Sequence, residues 1–291
     1  MAGEPGWFGV GGIRVSEPGT LEQERRVLTA PLLRRESIGH SYHLLSFDVP
    51  GGSLVRPGQF TMIRGAEWGD APLLPRPMSY LSGGATPSIL VKVHGEGTIR
   101  MGRAEPGEPF TLLGPLGNGW RAPDRHRRQL LVAGGVGIAP IFFLLKELVE
   151  AGARPVLLYG GRSNRDLPLA DDVADLCEVE LVTDDGSRGA CGRVTDLLDR
   201  HLSGSLEVFT CGPDPMMAEV ARKCRTAEVP CEVSLESPMA CGYGVCLGCA
   251  VPAASGGYLY ACAVGPCMDA NRIDWDRPRT DHATDRKVTE A

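Results

Sequence analysis

From Arg26 to about Arg121 the apolar residues come in short runs with polar partners between them, as in HSYHLLSFDVP, GQFTMIR and SILVKVHG. Turn signals such as PGG, RPG, SGG and EPGEP punctuate these runs. Short strands at that spacing predict a small antiparallel β-barrel over residues 25–122. Near Arg128 the pattern changes. QLLVAGGVGIAP reads as a buried strand running into a glycine-rich turn, and IFFLLKELVEAG as an amphipathic helix stopped by Gly152. Strand PVLLYGG, helix PLADDVADLC, strand VELVTDD, a helix about VTDLLDRHL, strand LEVFTCG and helix PMMAEVARKCRTA then alternate. That alternation predicts a Rossmann-like, doubly wound parallel sheet over 127–229. A Cys-rich module follows at 230–269. Residues 1–24, polar and Gly-rich, are expected to be a flexible extension, and the charged stretch 270–291 a frayed tail.

Composition narrows the classes of function. A net charge of -6 gives no electrostatic reason to expect nucleic acid or an anionic membrane as partner. The longest uncharged apolar run, Leu130 to Leu145, is too short to span a bilayer and is interrupted by Gly134, Gly135, Gly137 and Pro140. The opening MAGEPGWFGVGG has neither a basic leader nor an apolar stretch of signal-peptide length, so a cytoplasmic protein is expected. Thiols stay reduced there, and the ten cysteines need a reason other than disulfides.

Five of them supply one. ACGYGVCLGCA places Cys241, Cys246 and Cys249 in a C-x4-C-x2-C arrangement, the plant-type [2Fe-2S] spacing. A short loop must wrap such a cluster, and Gly242, Gly244 and Gly248 let the backbone approach it closely. Four thiolates also make a structural zinc site, although zinc modules usually show two CxxC hooks and here the second is missing. Spacing leaves Cys262 and Cys267 equally eligible as fourth ligand. Cys177, Cys191, Cys211, Cys224 and Cys231 read mainly as small apolar core residues.

Nucleotide signals precede the module. Val132–Pro140 follows a strand and opens a helix, so Gly134, Gly135 and Gly137 expose backbone N–H groups where a phosphate would sit. Cys211, Gly212 and Pro213 end another strand at the same kind of edge, where open parallel sheets bind ligands. Arg162 and Arg165 either meet a 2′-phosphate or are solvated surface residues. In the β-rich half, RPMSY offers a guanidinium and a hydroxyl suited to a diphosphate and a flavin edge. HGEGTIR adds a glycine turn with a hydroxyl.

The order R-P-x-S, G-x-G-T, G-P-L-G-N-G, A-G-G-V-G-I-A-P, C-G-P-x-P-M-M and C-x4-C-x2-C resembles the ferredoxin-reductase-like flavoproteins over about Val27 to Asp269. Within them it is most similar to the electron-transfer subunits of NAD-linked dihydroorotate dehydrogenases, whose compact C-terminal cluster module it shares. The resemblance implies FAD contacts at Arg76, Pro77, Met78 and Ser79, at Leu90, Val91 and Lys92, and at Gly97 and Thr98. It implies cluster ligation by Cys241, Cys246, Cys249 and Cys262, the last because a similar Gly-Pro follows the fourth ligand in that family. Many superfamily members place an aromatic residue where Met78 stands.

The implied role is an electron relay in pyrimidine biosynthesis. An FMN-containing catalytic subunit would oxidise dihydroorotate, and electrons would pass through the [2Fe-2S] cluster and FAD to NAD+, within a heterotetramer. No acid–base residue is demanded and none is nominated. The alternatives are the small subunit of an NADH-dependent ferredoxin:NADP oxidoreductase or sulfide dehydrogenase, a hydrogenase-associated diaphorase subunit, and a zinc-stapled nucleotide-binding module without electron transfer.

Overall fold

A computed structural model describes residues 25–39 and 41–277 of the chain. The flexible extension expected over 1–24 and most of the expected tail lie outside the described residues.

Six strands close into a barrel: β1 (Arg26–Ser37), β2 (Tyr42–Phe47), β3 (Phe60–Gly65), β4 (Arg76–Ser82), β5 (Ser88–Lys92) and β6 (Pro109–Leu116), in the order β1-β2-β5-β4-β3-β6. All pairings are antiparallel, as the short alternating runs predict. β6 shows the cause plainly, since every second side chain is buried along its length. A single helix, α1 (Glu96–Arg103), follows β5.

The second layer begins with β7 (Arg128–Gly134), buried at every position after the first, as a strand covered on both faces must be. It runs on through α2 (Ile138–Glu150), β8 (Val156–Gly161), α3 (Ala170–Ala174), β9 (Glu178–Thr183), β10 (Ala190–Cys191), α4 (Val194–Leu198), β11 (Leu206–Cys211), α5 (Asp214–Thr226) and β12 (Cys231–Ser234). Gly152, with φ 83, lies just past α2 in the left-handed conformation that commonly ends helices. The module that follows contains β13 (Ala250–Pro252), β14 (Tyr258–Tyr260), α6 (Ala261–Val264) and β15 (Cys267–Asp269).

The large sheet runs β10-β9-β8-β7-β11-β12-β15. Strand order reverses between β7 and β11, so the crevice outside their carboxyl ends is the expected ligand position. One core joins the parts: Phe60, Met62 and Leu116 of the barrel pack with Val132 and Val208 of the sheet and with Cys249 and Cys262 of the module.

Three boundaries differ from the sequence reading. Cys231–Ser234, assigned to the Cys-rich module, is β12 of the large sheet, and β15 returns to pair with it antiparallel. HGEGTIR, read as a glycine turn, supplies the first turn of α1. Residues 270–275, read as frayed tail, are packed: Ile273 is buried and Trp275 Nε1 donates to Ala270 O at 2.9 Å.

Candidate functional site

Arg76 opens β4, and its guanidinium lies over the first turn of α1. A Cβ on Gly97 would stand 2.3 Å from Arg76 Nε and 2.6 Å from Cζ, so only glycine admits this approach. The first N–H groups of a helix lack intrahelical partners. A guanidinium beside them makes a concentrated anion site, which fits a diphosphate. Thr98 contributes differently from the sequence reading. Its Oγ1 accepts from His94 N at 2.8 Å and Gly95 N at 3.0 Å and donates to Gly95 O at 2.9 Å. The hydroxyl is committed to the turn.

Pro77, Met78 and Ser79 are half-buried along β4, opposite Met62, Thr61 and Phe60 of β3. Leu90 and Val91 are fully enclosed in two different cores, which leaves the strand backbone and Lys92 to meet a ligand. Lys92 Nζ reaches across to the nucleotide domain, 3.4 Å from Asp166 Oδ1, and stands 5.4 Å over the Tyr42 ring. This link between the domains has no local sequence signal. Arg162 remains exposed, with Asp166 4.0 Å away, and Arg165 is exposed as well.

At the switch point the two glycine turns nest against each other. A Cβ on Gly134 would lie 2.9 Å from Pro213 Cδ, one on Gly137 2.4 Å from Cys211 O, and one on Gly212 3.0 Å from Gly134 Cα. These glycines are required by turn-to-turn contact. Gly135 is different: its φ is +54 and a Cβ there would meet only Asp166 O, at 3.9 Å, so it borders open space. Tyr159 Oη, near both Pro168 O at 2.9 Å and Gly135 O at 3.1 Å, braces that turn. The Cys211 thiol is enclosed in the core, and burial pushes it well above the ordinary thiol range. Pro213 lies at the entrance to α5, against the Gly134 position. We expect Gly137→Ala to destabilise the fold by about 2 kcal/mol, because backbone and not a flexible side chain stands in the way. Urea unfolding measures this.

In the Cys-rich loop the thiols stand as two pairs. Cys249 Sγ and Cys262 Sγ are 3.1 Å apart, and Cys241 Sγ accepts from the Cys246 thiol and, at 3.4 Å, from the Cys246 backbone N. Further amides point at sulfur: Tyr243 N at Cys241 Sγ, 3.5 Å, and Gly244 N at Cys262 Sγ, 3.1 Å. Among the described residues no three His, Cys, Asp or Glu side chains are grouped about one point as for a single ion. Two-plus-two fits a [2Fe-2S] cluster, with two thiolates for each iron. Burial opposes charge on Cys241, but the amides of Cys246, Tyr243 and Val245 outweigh it and bring the thiol down to about 6. Burial and the neighbouring Cys249 push Cys262 up to about 12, despite the Gly244 amide. Cys267 lies apart from the pairs, buried with its Sγ 3.6 Å from Gly58 O.

A family model described as the iron-sulfur cluster binding domain of dihydroorotate dehydrogenase B matches residues 236–274, and one described as the oxidoreductase NAD-binding domain matches 131–222. The dihydroorotate dehydrogenase B (NAD(+)) electron transfer subunit of Desulforamulus reducens is 34% identical over 261 residues, covering 86% of this chain and 99% of that protein. The chain belongs to this family. The Geobacillus kaustophilus member is 35% identical over 227 residues, 75% of this chain and 86% of its own length. Among solved structures, an NADH-dependent reduced ferredoxin-NADP oxidoreductase superposes with TM-score 0.76 at 30% identity, over 85% of this chain and 90% of that one. The ferredoxin reductase of carbazole 1,9a-dioxygenase, 21% identical with TM-score 0.61 over 74% of this chain and 69% of that one, shares the fold. The matched segment 236–274 contains both Cys262 and Cys267, and Cys262 is the one that pairs with Cys249.

Proposed function

We propose that the chain is the electron-transfer subunit of an NAD-linked dihydroorotate dehydrogenase, receiving electrons from an FMN-bearing subunit that oxidises dihydroorotate and passing them to NAD+. The observation that carries this reading is the pairing of three loop thiols and the Cys262 thiol of α6 in a module packed against the barrel. A Cβ on Gly242, next to Cys241, would stand 2.5 Å from Met62 Cγ and 2.9 Å from Leu116 Cδ1. When bound, a [2Fe-2S] cluster handles single electrons and FAD holds two, so together they join a one-electron supply to hydride transfer. Cys241, Cys246, Cys249 and Cys262 would hold the cluster. Arg76 and the first turn of α1 would hold the FAD diphosphate, with β4, β5 and Lys92 beside the rest of the flavin nucleotide. Gly135 and the nested turns of the switch point would receive NAD(H).

The exposed side chains support one position for the partner. Tyr243, Val245 and Leu247 keep 45%, 70% and 50% of their surface on the loop that carries the exposed Cys246, and Val264 keeps 40% at the end of α6. Apolar side chains crowded on one loop mark an interaction face, and electrons must enter where the cluster is nearest the surface. Val245→Asp is expected to weaken association with the catalytic subunit at least about tenfold, by burying an unpaired charge, while FAD and iron content stay native. Size-exclusion chromatography of the mixed subunits reads the loss. Two copies of each subunit, in the cytoplasm, complete the proposal. Among the described residues no helix is long and apolar enough to cross a membrane.

Arg76→Ala is expected to lower FAD affinity by about ten- to a hundredfold, the worth of a charge-assisted diphosphate contact. Fluorescence of released flavin measures it. The function itself is tested by purifying the native complex and supplying dihydroorotate and NAD+, with orotate and NADH expected. The structural likeness to the ferredoxin-NADP oxidoreductase favours one second reading. A partner inert toward dihydroorotate but active with reduced ferredoxin would establish it.

A further inference from the structure

The motif Gly114–Gly119, GPLGNG, lies on neither nucleotide site, yet it touches the segment that carries the fourth proposed cluster ligand. α6 holds Cys262 and is only four residues long, so its last carbonyls have no partner within the helix. Asn118 reaches three carbonyls of this segment. Its Nδ2 donates to Cys267 O at 2.8 Å and to Val264 O at 3.3 Å, and its backbone N donates to Gly265 O at 2.8 Å. Both side-chain contacts are to carbonyl oxygens, which fixes the amide with nitrogen inward.

Asn118 is itself held in place. Arg56 Nη2 donates to its carbonyl at 3.0 Å. Gly117 and Gly119 flank it with φ +77 and +68. A Cβ on the first would meet Pro266 Cδ at 2.5 Å and one on the second Pro57 O at 2.7 Å. The loop leaving the flavin barrel is thus pressed onto the Gly265-Pro266 corner, and one side chain ties the two together across about 150 residues of sequence.

We propose that Asn118 is a positioning residue for the iron–sulfur cluster, fixing the segment that carries Cys262 to the flavin barrel through its two amide donors. The inference rests on the reading of Cys262 as a ligand. The donors matter here, and not the volume of the side chain. Aspartate has the same shape but sets an anionic acceptor against two carbonyl oxygens, whereas alanine only removes the contacts.

The test uses the full chain with its cofactors, as Asn118→Asp, Asn118→Ala and Cys262→Ser. We expect N118D to keep its FAD, to show a changed EPR signature of the reduced cluster, and to lose the cluster to an iron chelator at least about fivefold faster than the native chain, with N118A in between. A native signature and native release rate in N118D would overturn the proposal, as would N118A being worse than N118D, the order expected of a space-filling residue. If N118D loses FAD as well, showing that it has not folded, Asn118→Ser takes its place. Serine keeps one donor and must retain the cluster better than alanine; the reverse order overturns the proposal. C262S that keeps a native cluster overturns the ligand reading beneath it. C262S without a cluster, beside a native N118D, overturns only the role of Asn118.

Discussion

Cys262→Ser is expected to abolish the visible and EPR signals of the cluster while leaving FAD bound and NADH-to-dye reduction at its native rate. The split follows from where the residue sits. Cys262 is paired with Cys249 and bonded by the Gly244 amide, and it touches neither the Arg76 anion site nor the glycine turns of the switch point. Electron delivery between NADH and the catalytic subunit should fall to background, since this route needs the cluster and the dye does not. Cys267→Ser is the matched control. Its sulfur is as deeply buried, but it faces Gly58 and lies outside the two pairs, so the iron–sulfur spectrum should survive. A polar hydroxyl in that pocket should lower stability by about 1–3 kcal/mol unless it finds a partner. Colour retained in C262S and lost in C267S would reverse the ligand assignment. Colour retained in both would remove the cluster from this loop. A colourless native protein with bound zinc would favour the zinc-stapled alternative.

What could be read along the chain was whatever is local. β7, α2, β11 and α5 are legible because continuous burial, one apolar helix face and Gly or Pro at the ends are all encoded within about fifteen residues. C-x4-C-x2-C is legible for the same reason: one loop brings three cysteines. The fourth proposed ligand is non-local: spacing alone leaves Cys262 and Cys267 level, the family resemblance favours Cys262, and the fold sets Cys262 beside Cys249 and Cys267 beside Gly58. Gly134, Gly137 and Gly212 are legible as glycines that must be there, and the fold adds a reason that the sequence does not show. Their missing side chains make room for another turn, and Gly135 is the one that borders open space. β1 is harder to see because a bulge after Leu32 interrupts its alternation, and the charged run Arg34, Arg35 and Glu36 follows it. The contacts that join the parts, Lys92 with Asp166 and Asn118 with Cys267, have no local signature, because each residue alone is an ordinary polar surface position.

Arg121→Ala is expected to lower stability by about 3 kcal/mol, and by more at pH 8 than at pH 5.5. The side chain leaves the linker between barrel and sheet and bridges two carboxylates on adjacent strands, with Nη2 2.7 Å from Glu207 Oε2 and Nε 3.2 Å from Glu232 Oε2. Its approach to Glu207 Oε2 is off the hydrogen-bond direction, so that contact is counted as Coulombic. Arg121 is 42% exposed, but Glu207 and Glu232 keep only 0% and 5%, and removing the cation leaves two buried carboxyls without their counter-charge. Burial pushes Glu232 up to about 7, against the pull of Arg121. Between the unfolded value of 4.5 and about 7 the folded chain therefore holds the extra proton. Stability from this group is present below that window and lost as pH rises through it, by up to about 3 kcal/mol. Without Arg121 the carboxyl is pushed higher still, so the deficit grows with pH. Glu232→Gln should flatten the slope, and in the double variant it should recover part of what R121A loses, because glutamine needs no counter-charge. Urea unfolding at the two pH values measures all three. A deficit in R121A that is the same at both would mean that the Arg121 guanidinium serves this junction through its packing on Phe209, 5.1 Å from the ring centre, and not through its charge.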